Sequence, residues 1–267
     1  AVHSGGFAQH LVHLDRFLTT IRESGLTLKL KKSRFSQSEV KFCGELVGSG
    51  TRRTDPDKVS AVRELRIPET KTQVKQVLGF FGYFRDHIPN YAALAKPLTD
   101  LTGKKVPNKV PWGPGEQQAY EDLKSALCRT TNDRLHIINV DKPFNLHVDA
   151  SDHTVAGVLT QPGEDGKEYP VAFASLKLTP TQRKWSTVEK EAFAALAALK
   201  RFRSWVWGAK LTIFSDHNPL SYLTESAPKS AKLMRWALAL QEFDINFRYR
   251  AGKLNVAPDT LTRLGPE

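Results

Sequence analysis

Four acidic positions in the second half of the sequence could act together, and three of them lie where predicted strands or helices begin or end. Asp149 closes one predicted strand, Asp216 closes another, and Asp259 opens the last predicted helix. The fourth lies on a long predicted helix and is either Glu189 or Glu191, because both lie ~80° from its apolar stripe. Carboxylates around two Mg²⁺ or Mn²⁺ ions about 4 Å apart would support in-line phosphoryl displacement. A single such acid is more often a turn, cap or solvated residue, so spacing alone leaves both interpretations open.

The elements that must position these acids form a mixed α/β pattern. Phe144 to Asp149 alternates strictly between apolar and polar residues, which is typical of a half-buried strand. Further strands are predicted at 155–161, 169–175, 211–216 and 245–249, and helices at 181–205, 217–223, 232–241 and 256–264. The order β-β-β-α-β-α-α-β-α predicts a mixed α/β layer fold with a five-stranded sheet.

The first half has a different pattern, with short helices and few strands. Asp55 followed by Pro56 predicts a helix start, and Thr70 can cap the next helix. Helices are predicted at 10–24, 55–65, from 70, 91–101 and 116–127, and strands at 26–30 and 40–47. Residues 102–113 are rich in Pro, Gly and Lys and are typical of a linker.

The net charge of +11 is unevenly distributed along the 267 residues. Residues 1–139 hold 22 basic and 14 acidic side chains, whereas the remainder holds 17 and 14. A basic excess in one half favours a polyanionic partner bound through its phosphates. Lys58, Lys71 and Lys75 are the candidate contacts on the predicted short helices, although a solvated face is the commoner role for any single lysine.

The composition excludes several other classes. Hydrophobic residues make up 40% of the chain, which argues against disorder, and no apolar run reaches the roughly 18–20 residues of a membrane-spanning helix. Two cysteines, Cys43 and Cys128, are too few for a disulfide framework or a multi-cysteine zinc site. The start lacks a Met and a signal-peptide pattern, so we expect an intracellular protein cut from a longer polypeptide.

Motifs along nearly the whole chain resemble the reverse transcriptase–ribonuclease H region of gypsy-type retrotransposon polyproteins. In the first half they are His10 to Leu28, the Val40-Lys41-Phe42-Cys43-Gly44 hairpin, Asp55 to Val59, Leu78 to Arg85, and Trp112 with Ala119 to Lys124. In the second half they are Val148-Asp149-Ala150-Ser151, Glu189-Lys190-Glu191, Ser215-Asp216-His217, and Gly252-Lys253-Leu254-Asn255 leading to Asp259. One such motif is weak evidence, whereas this many in one order is specific.

The resemblance implies a domain plan and a ligand set. Residues 1–50 would be the end of the polymerase palm, 51–102 a helical thumb, 103–139 a connector and 140–267 an RNase H-like domain. In the family the second Glu of the Glu-Lys-Glu run is a metal ligand, which implies Glu191 together with Asp149, Asp216 and Asp259. The implied reaction is two-metal cleavage of the RNA strand of an RNA/DNA hybrid with Mg²⁺, or Mn²⁺ in its place.

Two departures from the family pattern limit these expectations. The polymerase motif Tyr-x-Asp-Asp is absent, so the chain should not polymerise DNA even though its parent polyprotein would. Pro258 replaces the usual Ala before Asp259; proline fits a first helical turn, but its fixed φ can displace that ligand. The expected partners are RNA/DNA hybrid, double-stranded nucleic acid and the rest of the polyprotein.

Two other functions compete with a hybrid-cutting nuclease. A domesticated, catalytically inactive nucleic-acid-binding module would keep the basic half while losing the chemistry. An integrase-like strand-transfer enzyme is set aside, because that family places its Glu last, whereas Glu191 lies between Asp149 and Asp216.

Overall fold

The computed structural model describes residues 2, 4–63, 65–216 and 230–250. Its helices are α1 (Phe7–Glu23), α2 (Pro56–Arg63), α3 (Lys71–Tyr83), α4 (Tyr91–Leu94), α5 (Lys96–Asp100), α6 (Pro114–Arg129), α7 (Pro180–Arg183), α8 (Thr187–Val206) and α9 (Ala231–Leu240). Its strands are β1 (Glu39–Phe42), β2 (Glu45–Gly48), β3 (Thr51–Thr54), β4 (Leu135–His136), β5 (Phe144–Ala150), β6 (Thr154–Pro162), β7 (Glu168–Lys177), β8 (Leu211–Ser215) and β9 (Ile245–Tyr249). None of the described helices is long and apolar enough to cross a membrane.

The second half is built on a five-stranded mixed sheet in the order β7-β6-β5-β8-β9. The strands β5, β6 and β7 form an antiparallel meander, and β8 and β9 join it in parallel with β5. The predicted mixed α/β fold with five strands is therefore confirmed. The three alternate residues Phe144, Leu146 and Val148 are buried on one face, as strand alternation predicts, and His147 is buried on the other face.

Helix α8 packs against one face of this sheet with a short distance between helix and strand backbones. Its alanines and Leu199 share a buried core with the apolar residues of β5 and β6. At Gly157 on β6, an added Cβ would lie 2.9 Å from the Cβ of Ala198. The close approach keeps α8 in one position on the sheet, and α8 carries Glu191.

The first half combines a four-stranded antiparallel sheet, β1-β2-β3-β4, with a helical core. Helices α2, α3, α5 and α6 share that core, which is centred on Val74, Phe81, Leu98 and Tyr120. The hydroxyl of Tyr120 donates to the carbonyls of Leu65 and Arg66, so α6 is anchored to the loop before α3.

Several predicted elements differ from the structure. The strand predicted at 26–30 is wrong, since Leu26, Leu28 and Leu30 are exposed and only a short 3₁₀ turn follows. The strand predicted at 40–47 is the hairpin of β1 and β2, turned at Cys43 and Gly44 with φ of 49° and 81°.

Two predicted helices are interrupted. The helix predicted at 91–101 is divided into α4 and α5 at Ala95. The helix predicted at 181–205 is α7 and α8, because Ser186 caps a new helix start. The short strands β3 and β4 were not predicted, and the helices predicted at 217–223 and 256–264 lie outside the described residues.

Candidate active site

Glu191 is the buried centre of the candidate site, with only 2% of its surface exposed. Its Oε1 accepts a hydrogen bond from the backbone N–H of Ala150 at 3.0 Å. Its Oε2 accepts one from the hydroxyl of Ser215 at 3.2 Å. One carboxylate of α8 therefore bridges the carboxyl ends of β5 and β8, next to the two predicted aspartates.

Asp149 and Asp216 lie at those two strand ends, and each is half-buried. The parallel strands β5 and β8 are in register from Phe144 opposite Leu211 to His147 opposite Phe214. Continuing that register by two residues brings Asp149 opposite Asp216. The sheet and α8 thus bring three of the four predicted acids to one edge, while Asp259 lies outside the described residues.

The negative charges of Asp149 and Asp216 also act on the carboxylate of Glu191. The pKa of Glu191 is raised from 4.5 to about 8, first by burial and then by the negative charges of Asp216 and Asp149. The hydrogen bonds from Ser215 and Ala150 act in the opposite direction and do not offset these effects. Crowded carboxylates of this kind repel one another unless a proton or a cation lies between them.

The donor chemistry of this group fits a hard divalent cation, since every candidate ligand is a carboxylate oxygen. The described acids do not form a compact metal-binding group by themselves. Within residues 2, 4–63, 65–216 and 230–250, no group of three or more His, Cys, Asp or Glu side chains is compact enough to hold a metal ion. The fit therefore rests on the donor set and on its mutual repulsion.

The neighbouring Glu189 has a structural role at the start of α8. It forms a capping box with Ser186 at the start of α8 and an ion pair with Lys232 on α9. Burial acts to raise the pKa of Glu189, but the Lys232 ammonium and the Ser186 hydrogen bonds outweigh it and hold that pKa below its usual range. The Ser-x-x-Glu spacing from Ser186 to Glu189 was the sequence signal that periodicity alone missed.

A polar group beneath the aspartates was also missed. His147 is fully buried two residues before Asp149, stacks on Phe214 with ring centroids 4.9 Å apart, and lies 2.5 Å from a carboxylate oxygen of Glu168. The same oxygen accepts from the hydroxyl of Thr160 at 2.9 Å. Strand alternation alone gave no signal for this pairing, because Glu168 is distant in sequence.

The three candidate phosphate contacts lie on the helices of the first half. Lys58 on α2 and Lys75 on α3 are exposed. Lys71, at the start of α3, is half-buried, and its ammonium donates to the carbonyl of Gly103 at 2.8 Å. Part of the hydrogen-bonding capacity of Lys71 is thus used within the protein.

Comparison with known proteins agrees with this architecture. Residues 139–243 match the family of RNase H-like domains found in reverse transcriptase. The chain is 34% identical over its whole length to the retrovirus-related Pol polyprotein from transposon opus of Drosophila melanogaster, of which it covers 27%. It is 33% identical to that from transposon 297 of the same species over 98% of the chain and 24% of the relative. It is 32% identical to the transposon Tf2-3 polyprotein of Schizosaccharomyces pombe over 100% of the chain and 20% of the relative.

The fold is similar to solved structures as well. The foamy viral protease-reverse transcriptase in complex with an RNA/DNA hybrid matches with a TM-score of 0.80 at 24% identity, over 94% of this chain and 34% of that one. A second structure of that protein, in complex with double-stranded DNA, matches with a TM-score of 0.77 over 91% of this chain and 51% of that one. The chain spans 20% to 27% of the polyproteins quoted above. The resemblance to the reverse transcriptase–RNase H region of retrotransposon Pol polyproteins, which the motifs predicted, is therefore confirmed.

Proposed function

We propose that this chain cuts the RNA strand of RNA/DNA hybrids with a carboxylate-held pair of divalent metal ions. The observation that carries the proposal is the position of Glu191, whose buried carboxylate spans the strand ends bearing Asp149 and Asp216. The pKa of Glu191 is raised first by burial and then by the negative charges of Asp216 and Asp149, and a bound cation would relieve that repulsion. Asp259 is the proposed fourth ligand.

Each residue has a defined part in this proposal. Asp149 and Asp216 present oxygens from adjacent strands, and the bonds from Ala150 and Ser215 hold the Glu191 carboxylate between them. Two Mg²⁺ ions bound there would lower the pKa of the attacking water and stabilise the leaving 3′-oxygen. Because in-line hydrolysis of this kind needs no imidazole, no histidine is assigned a proton-transfer role.

The substrate class follows from the family and from the charge distribution. A basic first half suits a duplex held through its phosphates, with Lys58, Lys71 and Lys75 as proposed contacts. A solved relative is in complex with an RNA/DNA hybrid. Selective cutting of RNA would depend on its 2′-hydroxyls. DNA polymerisation is not proposed, because the Tyr-x-Asp-Asp motif is absent.

The test is cleavage of a hybrid labelled on its RNA strand, with Mg²⁺ and with a chelator. We expect Mg²⁺-dependent cutting that Asp149→Asn abolishes, since one ligand oxygen is lost, while hybrid binding stays within about twofold because no phosphate contact is removed. Asp141→Asn, an exposed acid before β5, is the matched control and should cut normally.

The alternative, an inactive binding module, predicts a different result. The wild-type chain would then bind the hybrid in a salt-sensitive way without cutting it at any Mg²⁺ concentration. Equal loss of binding and cutting in Asp149→Asn would contradict the assignment of Asp149 as a metal ligand.

A further inference from the structure

The two halves of the molecule meet along the outer edge of β7. This strand ends the five-stranded sheet, so within the described residues its outward backbone groups are not hydrogen-bonded to a further strand. Three of these groups bond to the first half: the carbonyls of Val171 and Ser175 accept from Arg52 (2.9 Å) and Arg85 (2.7 Å), and the N–H of Phe173 donates to the carbonyl of Asp86 (3.0 Å). The edge is thus covered by two guanidinium groups and one peptide carbonyl.

Arg85, Asp86 and His87, here called the clasp, connect this edge to further elements. The carboxylate of Asp86 accepts from Arg201 on α8, with both oxygens at 2.6 and 2.8 Å from one guanidinium nitrogen. On the other side, Nε2 of His87 lies 2.6 Å from a carboxylate oxygen of Glu45, which also pairs with Arg52 at 3.0 Å. The clasp therefore touches the first sheet, the edge strand and α8 at once.

Helix α8 connects the clasp to the candidate active site, because it carries both Arg201 and Glu191. Arg201 and Glu191 lie on this one continuous helix of 20 residues. Their separation of ten residues corresponds to about 15 Å of helical rise. Because α8 is packed tightly on the sheet, holding Arg201 holds the whole helix, including its acid.

We propose that Asp86 and Arg201 are positioning residues that determine where the RNA strand is cut. They hold the lysine-bearing helices at one distance from the acids, so that a hybrid gripped by those helices reaches the site at a fixed nucleotide. Neither residue touches the substrate, and the proposal rests on the proposed hybrid cleavage. Without the ion pair, the two halves are still joined by the bonds of Arg52, Arg85 and the Asp86 carbonyl to β7, and we expect their relative position to vary more widely about the same mean.

The first test measures geometry without substrate. Spin labels are placed on Gln76→Cys in α3 and Lys184→Cys before α8, both exposed positions, after Cys43→Ser and Cys128→Ser. We expect a narrow distance distribution in the otherwise wild-type chain and one about twice as wide in Asp86→Ala or Arg201→Ala. The charge-swapped Asp86→Arg/Arg201→Asp chain should be narrow again. This rescue distinguishes the pair from a general loss of stability.

The second test measures the cut itself. A hybrid is tethered by a disulfide from one modified nucleotide to Gln76→Cys in the chain with Cys43→Ser and Cys128→Ser, and the lengths of the RNA products are determined. We expect one main cut position in the parent protein and several in Asp86→Ala. The total cleavage rates of the two proteins should agree within about twofold. Arg203→Ala is the matched control, because Arg203 lies on the same helix in an exposed pair with Glu242.

The outcomes separate this proposal from the one it rests on. If the parent chain cuts but Asp86→Ala gives the same distance width and the same products, the positioning role is wrong. The positioning role is also wrong if Arg203→Ala widens the distance distribution and the range of RNA product lengths as much as Asp86→Ala does. If the wild-type chain cuts no hybrid, the proposed function fails and the positioning role fails with it.

Discussion

Glu189 and Glu191 show how environment, more than residue type, determines the role of an acid. They are two residues apart on α8, yet one pairs with Lys232 and caps the helix while the other is buried among carboxylates. The pKa of Glu189 is lowered and that of Glu191 is raised. Replacing each by glutamine should therefore affect stability in opposite directions.

Glu191→Gln should stabilise the metal-free protein at alkaline pH. With its pKa raised to about 8 from 4.5, folded Glu191 holds a proton that the unfolded chain has lost, so stability falls as pH rises through this window. Glutamine stays neutral and removes that loss. We expect the Tm in chelator to rise by more than about 2 °C at pH 8 and by less at pH 5, measured by thermal unfolding.

Glu189→Gln provides the control for this prediction. Its lowered pKa means that the ionised form stabilises the fold above the unfolded pKa, and this contribution is lost as the pH falls. The Tm of Glu189→Gln should therefore decrease at pH 8. A decrease for Glu191→Gln at the same pH would contradict the like-charge description of the site.

At the level of elements, the sequence predicted a strand correctly where apolar and polar residues alternate and a neighbouring strand is present to pair with it. Phe144 to Asp149 alternates, and each strand from β5 to β7 pairs with the strand that follows or precedes it in sequence, so the meander was predictable. Leu26 to Leu30 alternates equally well but lies exposed, because alternation cannot supply a partner strand. The order of elements indicated that acids at these strand ends and on α8 could converge, whereas the choice of Glu191 over Glu189 came from the family resemblance, since periodicity could not make it.

The start of α8 offers a test at this level. Ser186→Ala removes a capping hydroxyl and should cost ~1 kcal/mol of stability, as should Thr179→Ala at the equivalent cap of α7. Only Ser186→Ala should also slow hybrid cutting, because fraying of the first turn of α8 moves Glu191. Denaturant unfolding and cleavage rates, measured on both variants, check this. Equal cleavage rates in the two variants would show that the cap does not position the acid.

For the whole molecule, the uneven charge predicts how hybrid affinity depends on salt. If Lys58 and Lys75 each neutralise one phosphate, the slope of log affinity against log salt should decrease by about 1.8 in Lys58→Ala/Lys75→Ala. Lys167→Ala, in the exposed turn between β6 and β7, should leave the slope unchanged. Fluorescence titrations at several salt concentrations measure both. An unchanged slope in the double variant would remove these lysines from the interface.

The covered edge of β7 also bears on how the chain is made. Arg52, Arg85 and Asp86 leave the ribosome before β7 does, so the groups that cover this edge are already present when the sheet forms. An uncovered strand edge invites pairing with another chain and hence aggregation. We therefore expect the first half to shield this edge while the second half folds, and a piece of this chain that starts near residue 139 to be less soluble than the whole.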